Sequence, residues 1–326
     1  MNRAAQALTL LLLLATGCSL FVRPQAGDQP QDDPSESVRA VGVTSIDSSK
    51  IAPKVSSSPY WDKIRAGGPL VIGVNRRYPP FGVPGTDQPF VGFDPDLAQH
   101  LGQALGVPVK IVGITSQGSL DDLNSGRVDI VMAGLTRTVY RAAQVSFSVP
   151  YLTVSQGALI DRRYVEGSQG TDEERRRRSF ESYADLAKVP GLRIAVVHFT
   201  RPERLARSNF PNAKIVPFAD LGECTDALAA GKVDALVHDA PYIRAWPLIH
   251  PSLAARFAPL LKPVTDEPIA IAIRQGDPEF LRFLDVYVHE IRQDGTVAAL
   301  FRRHFLDGEW AKTANLPKDT EKGGAE

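Results

Sequence analysis

The sequence predicts an α/β protein of two lobes, each a mostly parallel sheet with helices on both faces. Three observations carry this. Between Leu70 and Ala133, buried-strand runs alternate with helical periodicity, and the same alternation returns between Leu192 and His238. Strand, helix, strand, helix, strand is the order that puts helices on both faces of a parallel sheet. The third is length, since 326 residues leave room for two domains of ordinary size after the polar termini are set aside.

In the first unit, Leu70-Val71-Ile72-Gly73-Val74 is a continuous apolar run, as expected of a strand covered on both faces. Tyr78-Pro79-Pro80-Phe81 then requires an extended or turning path. A hairpin-like stretch ends at Phe90-Val91-Gly92-Phe93. Asp94 reads as a helix N-cap, with Pro95 at the first helical position and Asp96 in the first turn. Leu97, Leu101 and Leu105 recur at helical spacing and Gly106 closes that helix. Val107 to Ile111 reads as a strand, Leu120 to Asn124 as a short helix ended by Ser125-Gly126, and Asp129 to Ala133 as a buried strand.

The second unit repeats the plan without repeating the sequence. Leu192 to Val197, Lys214 to Pro217 and Val233 to His238 read as strands; Pro202 to Ser208 and Asp220 to Ala230 read as helices. Cys224 falls at the start of the second of these helices, where a buried, inert thiol is its expected role. Between the units, residues 161–182 form a polar insertion in which Arg175-Arg176-Arg177-Arg178 follows Asp172-Glu173-Glu174. Such a run reads as a solvated, locally charge-paired surface, although four arginines also suit phosphate or lipid head groups.

The N-terminus points to export. Met1 to Gly17 has one early cation, Arg3, an apolar run from Leu8 to Ala15, and small residues at Ala15-Thr16-Gly17. That is the pattern of a signal peptide over residues 1–17, and it is too short for a membrane span. Cys18 directly after it resembles the lipobox of bacterial lipoproteins, where the thiol receives the lipid and becomes the mature N-terminus; an ordinary cleavable signal with a coincidental cysteine is the other reading. Residues 18–57, rich in Pro, Gln, Ser and Asp, cannot bury enough surface to offset their ordering entropy and read as a flexible tether.

Composition removes several function classes. With 37 basic and 37 acidic residues, no global field points to nucleic acid. Only Cys18 and Cys224 are present, so a lipidated Cys18 excludes an internal disulfide. No HExxH, G-x-S-x-G, GxGxxG or P-loop occurs, and the histidines do not cluster at metal spacing. No metal and no cofactor is expected.

A family resemblance rests on several motifs in order. Val71-Ile72-Gly73-Val74-Asn75-Arg76-Arg77-Tyr78-Pro79-Pro80-Phe81 resembles the opening strand and ligand loop of the polar-amino-acid family (family 3) of periplasmic solute-binding proteins. Val91-Gly92-Phe93-Asp94-Pro95-Asp96-Leu97-Ala98 resembles its GFDxDLA signature, and Leu123-Asn124-Ser125-Gly126-Arg127-Val128-Asp129 its L-x-SG-x-VD element. Ala133-Gly134-Leu135-Thr136-Arg137-Thr138-Val139-Tyr140-Arg141, followed by Phe147-Ser148-Val149-Pro150-Tyr151, is similar to AGxTxTxxR…FSxPY. Leu228 to Asp239 is similar to LxxGxVDAxxxD, and Asp294-Gly295-Thr296 with Phe305-Leu306 to the close of the last helix.

The resemblance implies a two-lobed periplasmic binding protein fold of the Venus-flytrap type (type II), with ligand held in the cleft and two hinge strands. Lobe 1 would be residues 58–156 plus 268–308, lobe 2 residues 157–265, and 309–326 a polar tail. The hinge strands would be 155–160 and 264–269, a connection that permits closure without unfolding either lobe. It also implies a binding site. Arg141 would hold a carboxylate with its planar fork, assisted by Thr136 and the backbone of Gly134. Asp239, at the end of a buried strand, would pair with an ammonium, although it also suits a helix N-cap before Ala240-Pro241. Tyr78 would offer an aromatic face or be a core or turn residue.

Thr200 falls where the family has a Gly-Thr-Thr turn, but Phe199 stands in place of glycine, so the backbone there is expected to leave the usual path. Arg201 adds a second cation. Asn75, where binders of cationic amino acids often place Asp, together with Arg76 and Arg77 disfavours a cationic ligand; Ser116 and Gln117 replace the aromatic of the facing loop. A polar neutral or acidic ligand fits best.

The function implied is a non-enzymatic, extracytoplasmic lipoprotein, anchored to the membrane by its lipid. It is expected to act as a monomer that captures an amino acid or related small carboxylate and delivers it to the permease of an ABC importer. The alternatives are a periplasmic dehydratase of the cyclohexadienyl dehydratase type, for which Glu203 or Glu267 would have to supply an acid, and a ligand-sensing module. Replacing Cys18 by Ser is expected to abolish acyl labelling in vivo and leave a soluble or unprocessed form. Continued labelling of the variant would exclude the lipobox.

Overall fold

The strands follow the apolar runs. In the computed structural model they are, along the chain, β1 (Leu70–Asn75), the pair β2 (Val83–Pro84) and β3 (Phe90–Val91), β4 (Val109–Ile114), β5 (Ile130–Val131), β6 (Ser146–Phe147), β7 (Leu152–Val154), β8 (Gln156–Asp161), β9 (Arg193–Val197), β10 (Lys214–Phe218), β11 (Ala235–Asp239), β12 (Phe257–Leu260), β13 (Glu267–Ile269) and β14 (Ala272–Ile273). The structure describes residues 58–166 and 180–315. The signal peptide, Cys18, the tether, the Arg175–Arg178 run and the chain after residue 315 lie outside the described residues.

Two five-stranded sheets form the lobes. The first has the order β4-β1-β5-β14-β6 and the second β10-β9-β11-β8-β12. In the first, β4, β1 and β5 run parallel and β14 returns antiparallel to β5. In the second, β10, β9 and β11 run parallel, β8 is antiparallel to β11, and β12, antiparallel to β8, runs in the direction of the first three. Helices Phe93–Leu105 and Pro278–Gln293 bury Leu97, Leu101, Phe280, Leu284 and Val288 with Ile72 and Ile273 of the first sheet. Helix Arg201–Asn209 contributes Ala206 to a second core with Ile160, Ile194, Val196 and Val237. Each such large side chain, fully buried, contributes roughly 1.5–3 kcal/mol. Among the described residues no helix is long and apolar enough to cross a membrane.

One short motif builds the same corner in both lobes. Gly126-Arg127-Val128-Asp129 and Gly231-Lys232-Val233-Asp234 each begin on a left-handed glycine, with φ of 79° and 68°. Asp129 then accepts the Val71 N–H at 2.8 Å and donates its own N–H to the Val71 carbonyl at 2.7 Å. Asp234 does the same with Arg193, at 3.0 and 2.8 Å. Each aspartate thereby sets the register of a new strand against the first strand of its sheet. At Asp234 the Arg193 guanidinium, with its backbone N–H, holds the carboxyl below its usual range against the effect of burial.

Four expectations change. The crossing strands between lobes are β7 and β13, paired antiparallel from Val154–Glu267 to Leu152–Ile269. Of residues 155–160, read as a hinge strand, all but Ser155 belong to β8 inside the second sheet, where a strand flanked by β11 and β12 is buried along its whole length. The strand expected at 107–111 lies at 109–114, since Val107 donates to the Gly102 carbonyl in the cap of the preceding helix. The polar insertion is narrower than 161–182: Asp161 is buried and bound by Arg256, and Ser182 caps a turn at Tyr183–Lys188.

The fourth concerns the tail. Residues 309–315 pack on the globule, with a short helix Trp310–Thr313, a bridge from Ala314 to Gly85, and the Asn315 N–H on the Pro84 carbonyl. Trp310, 1% exposed, clusters with Val83 of β2 and Ala245 of helix Ala240–Ile249, so the segment touches elements of both lobes. A polar composition hid one apolar anchor. Trp310→Ala is expected to cost about 3 kcal/mol, in line with Trp-to-Ala losses in cores. Urea unfolding of the whole chain would read this as a lower midpoint with unchanged slope.

Candidate functional site

The site grows out of three loops of the first lobe and two of the second. After β1 the chain turns sharply, with Tyr78 and Gly82 exchanging backbone hydrogen bonds at 3.0 and 2.9 Å. Asn75 holds this turn. Its Oδ1 accepts the Arg77 N–H at 3.0 Å and its Nδ2 donates to Ser116 Oγ at 2.7 Å. Both amide groups are thus committed to the two loops, and Asn75 does not line the cleft. Its placement is that of a loop clamp.

The next loop is fixed by Asp94. Rather than capping its helix, which begins at Phe93 behind Gly92, Asp94 is fully buried one residue inside it. Its carboxylate accepts the Gly134 N–H and the Tyr151 hydroxyl, both at 2.7 Å. Gly134 has φ of 59°, and a Cβ there would lie 2.6 Å from Tyr78 Cε1, so only glycine fits. The Gly134 N–H is therefore spent on Asp94, which corrects the expectation that it helps to hold a carboxylate; its carbonyl is what remains. Thr136 bridges to Ile269 without sharing hydrogen bonds with it, and neither its amide nor its hydroxyl has a partner among the described residues. Its carbonyl accepts Arg141 Nη1 at 2.8 Å.

Arg141 sits in a short helix, Val139–Ala142, capped by Thr138. Among the described residues no carboxylate lies within ion-pair distance of it. Burial and then the nearby guanidinium of Arg204 bring its pKa down to about 10, partly offset by Asp239, so it stays charged at neutral pH. A half-buried guanidinium without a carboxylate costs free energy, and that cost is relieved when an anion arrives.

The second lobe faces it. Asp239 ends β11, and although it occupies the N-cap position of helix Ala240–Ile249, its side chain makes no capping bond. Instead it takes Gln156 Nε2 at 2.5 Å and the Tyr78 hydroxyl, which reaches across from the first lobe. Burial and Asp239 hold the Tyr78 phenol well above its usual range, so it remains a donor. His238 stands edge-on to Tyr78 with ring centroids 5.1 Å apart, and burial lowers its pKa, leaving a neutral imidazole at neutral pH. Thr200 caps helix Arg201–Asn209, accepting the Glu203 N–H and donating to the Val197 carbonyl at 2.5 Å.

The turn before Thr200 does not leave the glycine path. Phe199 adopts φ of 60°, the only non-glycine described with positive φ, at a conformational cost of about 1–2 kcal/mol. Glu203 holds it there. Its Oε2 accepts the Phe199 N–H at 2.7 Å, and its Oε1 takes Arg207. Burial pushes the Glu203 pKa up, but these donors and His198 outweigh it and hold the group below its usual value. Glu267, 1% exposed, is raised by burial and bound by Arg201 Nε at 2.8 Å.

Tyr78, Gly134, Thr136, Arg141, Thr200 and Asp239 thus line one cavity of about 40 Å³, together with Ser116, Arg201 and His238. That is room for a few waters. The lips are joined by Arg77 with Asp220 and by Gln117 Nε2 on the Ala219 carbonyl at 3.1 Å. A larger cavity, about 310 Å³, lies between the β2–β3 hairpin and the C-terminal segment. There Arg303 already pairs with both Asp96 and Glu309, and none of the candidate ligand residues lines it. Among the described residues no cluster of His, Cys, Asp or Glu can hold a metal ion. Asp94, Gln156 and His238 are site residues that motif reading did not single out; the signal for His238 is its place immediately before Asp239 at a strand end.

The model of the bacterial extracellular solute-binding proteins, family 3, matches residues 70–307. The L-cystine-binding protein TcyJ of Escherichia coli K12 is 27% identical over 244 residues, covering 75% of this chain and 85% of that protein. A cyclohexadienyl dehydratase of Pseudomonas aeruginosa is 26% identical, covering 76% of this chain and 87% of the enzyme. An ancestral arginine-binding protein, solved bound to arginine, superposes with a TM-score of 0.60 at 29% identity, covering 73% of this chain and 98% of that one.

Asp94 makes stability depend on pH. Burial raises its pKa to about 7 from 3.8, more than its two donors lower it. The folded protein therefore holds a proton that the unfolded chain releases. This contribution is fully present below about pH 4 and is lost as pH rises to about 7, a change on the order of 4 kcal/mol. Asp94→Asn is expected to flatten that part of the stability profile, measured by urea unfolding between pH 4 and 8; an unchanged slope would place the titration elsewhere.

Proposed function

Since the chain belongs to the bacterial extracellular solute-binding proteins of family 3, we propose that it captures an α-amino acid between its lobes and hands it to the permease of an ABC importer. The observation that carries this reading is one cleft in which Arg141 of the first lobe, with no carboxylate partner among the described residues, faces Asp239 of the second. A zwitterion needs both charges, and it completes both only when the lobes are closed, which couples binding to closure. Thr136 adds an amide and a hydroxyl to the carboxylate. On the other side, the ammonium takes the place of the Tyr78 hydroxyl on Asp239, and Tyr78 turns its ring to the ligand. Thr200 shapes the wall as a helix cap.

The protein works outside the cytoplasm, as a monomer tethered through lipidated Cys18 and residues 18–57. Lobe 1 comprises 58–156 with 268–308, and lobe 2 comprises 157–265. A dehydratase would need a proton donor facing the substrate, and neither candidate suits. Glu203 is kept ionised beneath the Phe199 turn, and Glu267 lies behind Arg201 outside the cleft lining. Binding without chemistry is the better reading.

The test is a thermal-shift screen against the standard L-amino acids, followed by calorimetry with the strongest hit. Arg141→Ala is expected to lose about 2–5 kcal/mol of binding, roughly 30-fold to several-thousand-fold in affinity. Arg141→Lys recovers only part, because an ammonium lacks the planar fork. A folded Arg141→Ala that binds as tightly as wild type would refute the assignment.

A further inference from the structure

The charges that line the cleft do not cancel. Two guanidinium groups, Arg141 and Arg201, reach its surface against one carboxylate, Asp239. His238 is neutral at neutral pH. Outside the lining, Glu267 binds Arg201 from behind and Arg204 lies near Arg141. Arg204 stacks 5.9 Å from the ring of Tyr140 and has no ion-pair partner among the described residues.

Arg201 is placed to use its charge on something other than Glu267. Only its Nε is bound, at 2.8 Å, and its two terminal nitrogens have no partner among the described residues. Glu267 is 1% exposed and does not line the cavity, so it acts as a backstop that sets the guanidinium plane. Arg201 is also the first residue of a nine-residue helix, the end at which the peptide dipoles favour an anion.

We propose that the cleft selects an amino acid with a second carboxylate, Arg141 receiving the α-carboxylate and Arg201 the side-chain carboxylate. This rests on the amino-acid-binding reading above. A side-chain carboxylate restores neutrality to a cleft with one surplus cation. A basic side chain finds no free anion there, since Asp239 serves the ammonium and Glu267 is shielded by Arg201. An amide side chain keeps hydrogen bonds but leaves the charge uncompensated, and hydrogen bonds to ionised groups are roughly twice as strong as neutral ones. Burial and the crowding of Arg204 and Arg201 are what depress the Arg141 pKa, so a second anion between them also eases that repulsion.

Calorimetry with L-glutamate, L-aspartate, L-glutamine, L-asparagine, L-lysine and L-arginine tests this. Wild type is expected to bind an acidic amino acid at least about tenfold more tightly than its amide, and the basic ones more weakly still. Arg201→Gln should collapse the acid-over-amide ratio toward one. Because this variant leaves Glu267 without its cation, the double variant Arg201→Gln/Glu267→Gln, which keeps a neutral pair, is measured beside it and should show the same collapse. Tightest binding of an amide or basic amino acid, lost in Arg141→Ala, would overturn this inference while upholding the site. A preference that survives both Arg201 variants would overturn it as well. Failure of all six to bind would overturn this inference, and failure of every amino acid in the screen would overturn the binding reading with it.

Discussion

The first lobe's half of the site depends on one buried carboxylate. Asp94 has no exposure, and its two oxygens are answered by the Gly134 N–H and the Tyr151 hydroxyl. Those contacts tie three stretches of chain that are remote in sequence: the start of helix Phe93–Leu105, the turn that leads to Thr136 and Arg141, and the entry to crossing strand β7. A buried polar group must be matched by partners, so the turn at Gly134 cannot shift without leaving the carboxyl unsatisfied. The ring of Tyr78 fills the space that a side chain at position 134 would need. The turn after β1, the turn at Gly134 and the entry to β7 are therefore positioned by one hydrogen-bonded centre.

The second lobe solves the same problem with a different residue set. Glu203 supports a left-handed Phe199 where glycine would need no support, and it uses the helix's own first turn to do so. The phenyl ring this leaves at the surface is 71% exposed, so the strain is compensated by hydrogen bonding and not by burial. Thr200 and Arg201 consequently keep the positions that a glycine turn would give them. The departure in sequence leaves the backbone path intact and changes the chemistry of the rim.

Closure is written in pairs that span the lobes. Tyr78 with Asp239 lies at the floor, and Arg77 with Asp220 and Gln117 with the Ala219 carbonyl lie at the lips. The lip pairs are exposed and contribute little individually. The floor pair is buried and joins a phenol of the first lobe to a carboxylate of the second. The crossing pair β7–β13 carries Glu267 at its end, which sets Arg201 from the hinge side. Hinge geometry and cleft charge are thus linked through a single ion pair.

Much of this was legible in the chain itself. The continuous apolar runs of β1, β9 and β11, the helical spacing of Leu97, Leu101 and Leu105, and the ordered motifs determined an α/β fold of two lobes and brought Tyr78, Thr136, Arg141, Thr200 and Asp239 forward together. Periodicity reports burial, and burial is local enough to read. Partnership is not. Asp94 read as a cap and lies inside its helix as a clamp; Asn75 read as a ligand contact and binds Arg77 and Ser116; Phe199 read as a break and follows the glycine path because Glu203 lies four residues on. Trp310, in a polar stretch, anchors residues 309–315 to both lobes. In each case the side chain's role was set by a hydrogen bond or contact that only the closed chain supplies, and a linear sequence carries the donor and the acceptor without saying that they meet.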